Sequence, residues 1–79
     1  MDKLPIVSGR ELVEFFKQHG FAQRSRKRGS HITLTKSGAL RPLVIPDRKN
    51  LKPGIIKSNL RTAGISRATF IAAIRKRKK

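Results

Sequence analysis

The residues from Arg24 to Leu34, Arg-Ser-Arg-Lys-Arg-Gly-Ser-His-Ile-Thr-Leu, hold the side chains best suited to chemistry in this chain. Four cations, Arg24, Arg26, Lys27 and Arg28, lead up to Gly29, Ser30 and His31. An imidazole gives and takes a proton near neutral pH. Guanidinium and ammonium groups hold phosphate. Together they suit proton transfer at a phosphate ester. Residue types and spacing alone leave a second reading open: a basic loop that ends in an inert, exposed histidine. Gly29 suits a tight turn or close approach of the backbone to a phosphate. Ser30 can orient the imidazole, touch phosphate, or simply shape the turn.

Other reaction chemistries find little material. There is no cysteine, so no thiol nucleophile, disulfide framework or thiolate metal site. Two histidines and four carboxylates lie scattered, without a metal-site spacing, and no metal or other cofactor is expected. No glycine-rich phosphate loop ending in Lys-Ser/Thr occurs. A Ser-His-Asp triad would have to draw on Asp2 or Asp47 and is discounted. His19 falls in the last turn of a helix, where the dipole favours a cation.

Charge narrows the partner. Twenty Lys and Arg against four acids give +16 over 79 residues. Such a surface repels itself and seeks polyanions. Nucleic acid comes first, anionic lipid second, and a masking acidic protein third. A membrane-surface helix would carry Trp and a broad apolar face, and Trp is absent. No run approaches the ~18 apolar residues of a membrane span, and the first residues lack a signal-peptide pattern. A cytoplasmic protein with no membrane partner is expected.

A single small domain, residues 1–79, must position these groups. Residues 6–74 form its expected ordered core and 75–79 a basic tail. Ser8 and Glu11 have capping-box spacing, with Val7 and Leu12 as a hydrophobic staple. Leu12, Val13, Phe15 and Phe16 then give the apolar face of a helix over 9–19, ended by Gly20. Strands are predicted over 21–26, 30–35 and 40–45. In the second, Ile32 and Leu34 must face the core, so His31, Thr33 and Thr35 face away. Pro42 predicts an edge position or a bulge for the third strand. Pro53-Gly54 opens a second helix carrying Ile56, Leu60 and Ala63, with Ile55 beside them, and Gly64 stops it. Ser66 caps a third helix bearing Phe70, Ile71 and Ile74. The final Arg75-Lys76-Arg77-Lys78-Lys79 reads as a frayed tail, either solvated or tracking RNA phosphates. The result is an α+β fold, α-β-β-β-α(-α), with a three-stranded antiparallel sheet covered on one face by helices. It is close to the double-stranded-RNA-binding architecture.

Several pieces in this order resemble the HicA toxin family, small ribonucleases of bacterial toxin–antitoxin pairs. They are Ser8-Gly9-Arg10-Glu11-Leu12, His19-Gly20-Phe21, Arg28-Gly29-Ser30-His31, Leu43-Val44-Ile45-Pro46, and Leu51-Lys52-Pro53-Gly54 through Ala63-Gly64-Ile65-Ser66. The resemblance runs from about Val7 to Ser66. It implies the double-stranded-RNA-binding-like fold, RNA cleavage, and a HicB-like antitoxin that covers the active surface. It also implies that His31 is the catalytic histidine. Many relatives carry a second histidine just after the proline that ends the third strand, where this chain has Asp47-Arg48. A two-histidine scheme therefore does not carry over, and Arg48 is the candidate to stand in for the missing group.

RNA brings its own nucleophile: the 2′-OH attacks the adjacent phosphorus and the 5′-oxygen leaves. The expected activity is thus a metal-independent endoribonuclease acting on RNA, messenger RNA first. His31 is the general acid or base. Arg24, Arg26, Lys27, Arg28, Gly29, Ser30 and Arg48 bind RNA phosphate. The rival reading is a non-catalytic double-stranded-RNA-binding module. A DNA-binding architectural protein would need a recognition-helix pattern that this chain lacks.

Overall fold

The computed structural model describes residues 4–24 and 31–77. Helix α1 (Gly9–Gln18) is followed by strands β1 (Ala22–Gln23), β2 (His31–Thr35) and β3 (Leu43–Pro46). Helices α2 (Pro53–Ala63) and α3 (Arg67–Arg77) complete the chain. The strands form one antiparallel sheet in the order β1-β2-β3. This is the α+β order that the sequence leads one to expect.

Local signals start and stop the helices. The Ser8 Oγ accepts from the Glu11 N–H (3.1 Å), and Glu11 Oε1 accepts from the Ser8 N–H (2.9 Å). The capping box is therefore complete. Ser66 caps α3, its Oγ accepting from the Thr69 N–H (3.1 Å). Gly20 and Gly64 take positive φ, 93° and 73°, just beyond α1 and α2, a conformation that costs glycine nothing. α3 continues through Arg77, so the first three cations of the terminal run are helical. Arg and Lys are good helix formers, and cations are favoured in a last turn. Lys78 and Lys79 lie outside the described residues.

The alternation in β2 holds. Ile32 and Leu34 are buried and His31 is exposed. Cross-strand pairs Ile32↔Ile45 and Leu34↔Leu43 line the inner face. There they meet Leu12, Phe15 and Phe16 of α1, Ile56 and Leu60 of α2, and Phe70 and Ile74 of α3 in one core. The Phe15 ring sits edge-on to Phe16 (5.3 Å between centroids) and to Phe70 (5.1 Å), which joins α1 to α3. The other face of the sheet, with His31, Thr33 and Val44, is uncovered.

Two strand boundaries differ from expectation. β1 is only Ala22–Gln23. The Arg24 N–H still donates to the Thr33 carbonyl (2.9 Å), and residues 25 and 26 of the expected strand lie outside the described residues. β3 begins at Leu43, not at residue 40. Pro42 has no N–H for a ladder, and Leu40 is 100% exposed, so nothing holds 40–42 in the sheet.

β3 is an edge strand, and its edge is closed. Thr33 directs its carbonyl to β1, so its partner Val44 directs its own polar groups to the free edge. There the Val44 carbonyl accepts from Asn59 Nδ2 of α2 (3.3 Å). Pro42 and Pro46, two residues to either side, have no N–H to offer another strand. Proline and a side-chain amide thus deny the edge to a pairing partner.

The joint between α1 and the end of β3 is the tightest in the fold. The Gly9 N–H donates to the Arg48 carbonyl (2.8 Å), and the Leu51 N–H donates to the Val7 carbonyl (2.9 Å). A Cβ on Gly9 would collide with the Pro46 carbonyl oxygen and sit 3.1 Å from Asp47 Cα. Both are backbone atoms that cannot swing aside. Gly9→Ala is therefore expected to destabilise the protein by about 1–3 kcal/mol through overpacking, despite alanine's better helix propensity. Urea denaturation of the variant beside the parent measures this, and equal midpoints would refute it.

Candidate active site

His31 opens β2 and projects from the uncovered face, opposite Pro46 of β3. Helix α2 runs along the free edge of β3 and forms the wall of a groove of about 490 Å³. His31 and Arg41 lie in that groove, with Val44 and Pro46 along β3 and Ser58, Asn59 and Thr62 along α2. Val44 is 48% exposed despite its apolar side chain.

Asn59 ties the wall to the strand. It is the buried polar residue of the core, 8% exposed. Its Nδ2 donates both to the Val44 carbonyl and to the Ile55 carbonyl one turn back (3.0 Å). These two bonds orient the amide and set the spacing between α2 and β3.

The expected site residues are placed unevenly. Arg24 is exposed at the end of β1, one strand from β2. Arg26, Lys27, Arg28, Gly29 and Ser30 lie outside the described residues, in the segment that leads directly into His31. Arg48 is exposed two residues beyond Pro46, in the β3–α2 connection, and its carbonyl holds Gly9. Among the described residues, the cation that shares the groove with His31 is Arg41, which sequence reasoning did not select. Counting back from Leu43 and Ile45 by twos would send Arg41 inward. Because β3 begins only at Leu43, that parity does not apply to it. His19 is the C-cap of α1, and its ring lies tilted against Phe15, 4.6 Å between centroids.

Charge is segregated across the fold. The described acids, Glu11, Glu14 and Asp47, all gather at α1. Asp47 pairs with Arg10 (3.6 Å) and Glu14 with Lys17 (3.7 Å). No acid follows Asp47 in the sequence, so α2 and α3 carry only cations. Among the described residues no acid lines the His31 groove. A phosphate entering there meets an imidazole, a guanidinium, hydroxyls and an amide, and no carboxylate to repel it. Among the described residues no helix is long and apolar enough to cross a membrane.

Comparison with known proteins agrees with this geometry. A family profile described as the HicA toxin of bacterial toxin–antitoxin systems matches residues 9–65. Among solved structures, one described as a toxin–antitoxin complex from Streptococcus pneumoniae contains a similar chain. The two share 27% identity at a TM-score of 0.67, covering 75% of this chain and 98% of that one. No curated protein matches. The matched segment takes in α1, all three strands, α2 and the whole His31 groove, and the chain belongs to the HicA toxin family.

Proposed function

We propose that this protein is a metal-independent endoribonuclease, the toxin of a toxin–antitoxin pair, and that His31 is its general acid or base. The observation that carries this reading is the exposed imidazole at the head of β2, in an acid-free groove shared with Arg41. The 2′-OH of the substrate attacks its own 3′-phosphate, the P–O5′ bond breaks, and a 2′,3′-cyclic phosphate and a 5′-OH result. One proton leaves the 2′-oxygen and one arrives at the 5′-oxygen. A single imidazole serves one transfer and water the other. Cationic groups stabilise the charge that grows on the non-bridging oxygens. Arg41 is the groove's own candidate for that role. Arg24, Arg26, Lys27, Arg28 and Arg48 extend the positive field around it, with Gly29 and Ser30 leading into the imidazole. Messenger RNA is the expected substrate.

The partner is a HicB-like antitoxin. The family and the toxin–antitoxin complex among similar structures support it, as does a net charge of +16 that an acidic chain would neutralise. Such a chain, seated on the uncovered sheet face, would close the His31 groove.

His31→Ala should lower RNA cleavage by about 10²–10⁴, the usual worth of general acid–base catalysis. Its thermal stability should stay near the parent's because the side chain is exposed. Cleavage by the parent should persist in excess chelator. Unchanged cleavage by His31→Ala would remove His31 from the active site, and a parent that binds RNA without cutting it would be a non-catalytic RNA-binding module. Arg41→Gln should reduce kcat/KM about ten- to a hundredfold, as expected for losing a charged hydrogen bond worth ~1.5–3 kcal/mol. Steady-state kinetics on a defined oligonucleotide measures this, and an unaltered kcat/KM would remove Arg41 from the site.

A further inference from the structure

On the far side of α2 from the sheet lies a second concavity, about 580 Å³, at the corner where α2 turns into α3. Three exposed cations line it: Lys57, Arg61 and Arg67. The turn brings them together. Gly64 takes φ 73° and the Ile65 N–H donates back to the Leu60 carbonyl (3.0 Å). The start of α3, with Arg67, is thereby brought to the same concavity as Lys57 and Arg61 of α2. Among the described residues no carboxylate lines the corner.

This arrangement works against both helices. Lys57 and Arg61 stand four apart, where like charges repel. Arg67 occupies the first turn of α3, where the helix dipole disfavours a cation. Neither α2 nor α3 has an acid in its first turn. By contrast α1 carries Glu11 in its first turn, within a complete capping box. Repulsion of this kind is relieved when a ligand supplies the negative charge.

The position of the corner says which ligand. Gly54 and Ser58 line both this concavity and the His31 groove. A Cβ placed on Gly54 would meet nothing within 4 Å, so the edge shared by the two hollows is open at that point. A strand whose scissile phosphate lies at His31 can cross there and run on into the corner.

We propose that Lys57, Arg61 and Arg67 form a second phosphate-binding site, which holds the backbone of the RNA strand flanking the cut. The proposal rests on reading the His31 groove as the RNA-cleaving centre. The corner grips length, not sequence: it offers charge to phosphates and no shaped pocket for a base.

The test replaces all three cations, Lys57→Gln, Arg61→Gln and Arg67→Gln. A control loses the same charge elsewhere, through Arg10→Gln, Lys17→Gln and Lys49→Gln. Two single-stranded RNAs are compared, one confined to the His31 groove at about 4 nucleotides and one several times longer. In a His31→Ala background, binding of the long RNA should lose about 2 from its log–log salt slope, since each phosphate contact on a single strand contributes ~0.7. The control should lose less. Cleavage with His31 intact should fall more than about tenfold in kcat/KM on the long RNA at moderate salt, and the short RNA should escape that loss. Equal salt slopes for triple variant, control and parent would overturn the proposal. So would equal losses on both RNAs, or weakened antitoxin binding with RNA binding untouched. If the triple variant fails to fold, Arg67→Gln alone should still lower the slope by about 0.7, and an unchanged slope would count the same way. A parent that cleaves neither RNA would refute the ribonuclease reading itself. A parent that cleaves both, matched by the triple variant on both, would remove the second site alone.

Discussion

A missing side chain governs the geometry of this domain. At Gly9 the first turn of α1 rests directly on the carbonyl of Pro46, and no other residue type fits there without moving backbone. The two backbone hydrogen bonds beside it, Gly9 to Arg48 and Leu51 to Val7, pin the connection between β3 and α2 at both ends. That connection decides where Pro53 starts α2. Once α2 starts there, Asn59 reaches the Val44 carbonyl, and the groove containing His31 acquires its second wall. A contact between a helix start and a strand end is thus linked, through an ordinary loop, to the width of the candidate active site.

The division of charge follows the same layout. α1 is built as an ordinary stable helix, with its cap, its first-turn acid and its two ion pairs. α2 has neither a side-chain cap nor a first-turn acid, and α3 has only its Ser66 cap. The N-cap residue of α2 is Lys52, which makes no side-chain capping bond. A chain of +16 carries self-repulsion already, and concentrating it on two helices adds to the local cost. The helices stay in place through apolar burial, with Ile56, Leu60, Phe70 and Ile74 all at or below 2% exposure. Stability comes from the inner faces, and the outer faces are left free for a polyanion.

Much of this was legible in the sequence wherever one local rule decided the outcome. Ser8 and Glu11 announce the start of α1 by spacing, and the alternation in β2 places His31 outside because Ile32 and Leu34 must be inside. Pro42 signals an edge, and β3 is one. What was not legible depends on contacts between distant elements. Nothing around Asn59 says that its amide will meet a strand fifteen residues earlier. Arg41 joins His31 only because Pro42 delays β3 by three residues and α2 packs along its edge. Arg48 was favoured for its closeness to Pro46 along the chain; its carbonyl holds Gly9, while Arg41, before the strand, lines the groove. The uneven charge was open to view throughout: every acid precedes residue 48, although a net total conceals it.

The central claim is that one imidazole, held outside the sheet in a field of cations, moves a proton during RNA cleavage. Its most direct test sets the pH–rate profile of cleavage beside the titration of the His31 ring, followed by NMR on the same protein. A limb of the rate profile should coincide with the midpoint at which that ring titrates, and it should vanish in His31→Ala while RNA binding persists. A rate that stays level across the interval in which the His31 ring changes its protonation would contradict the account.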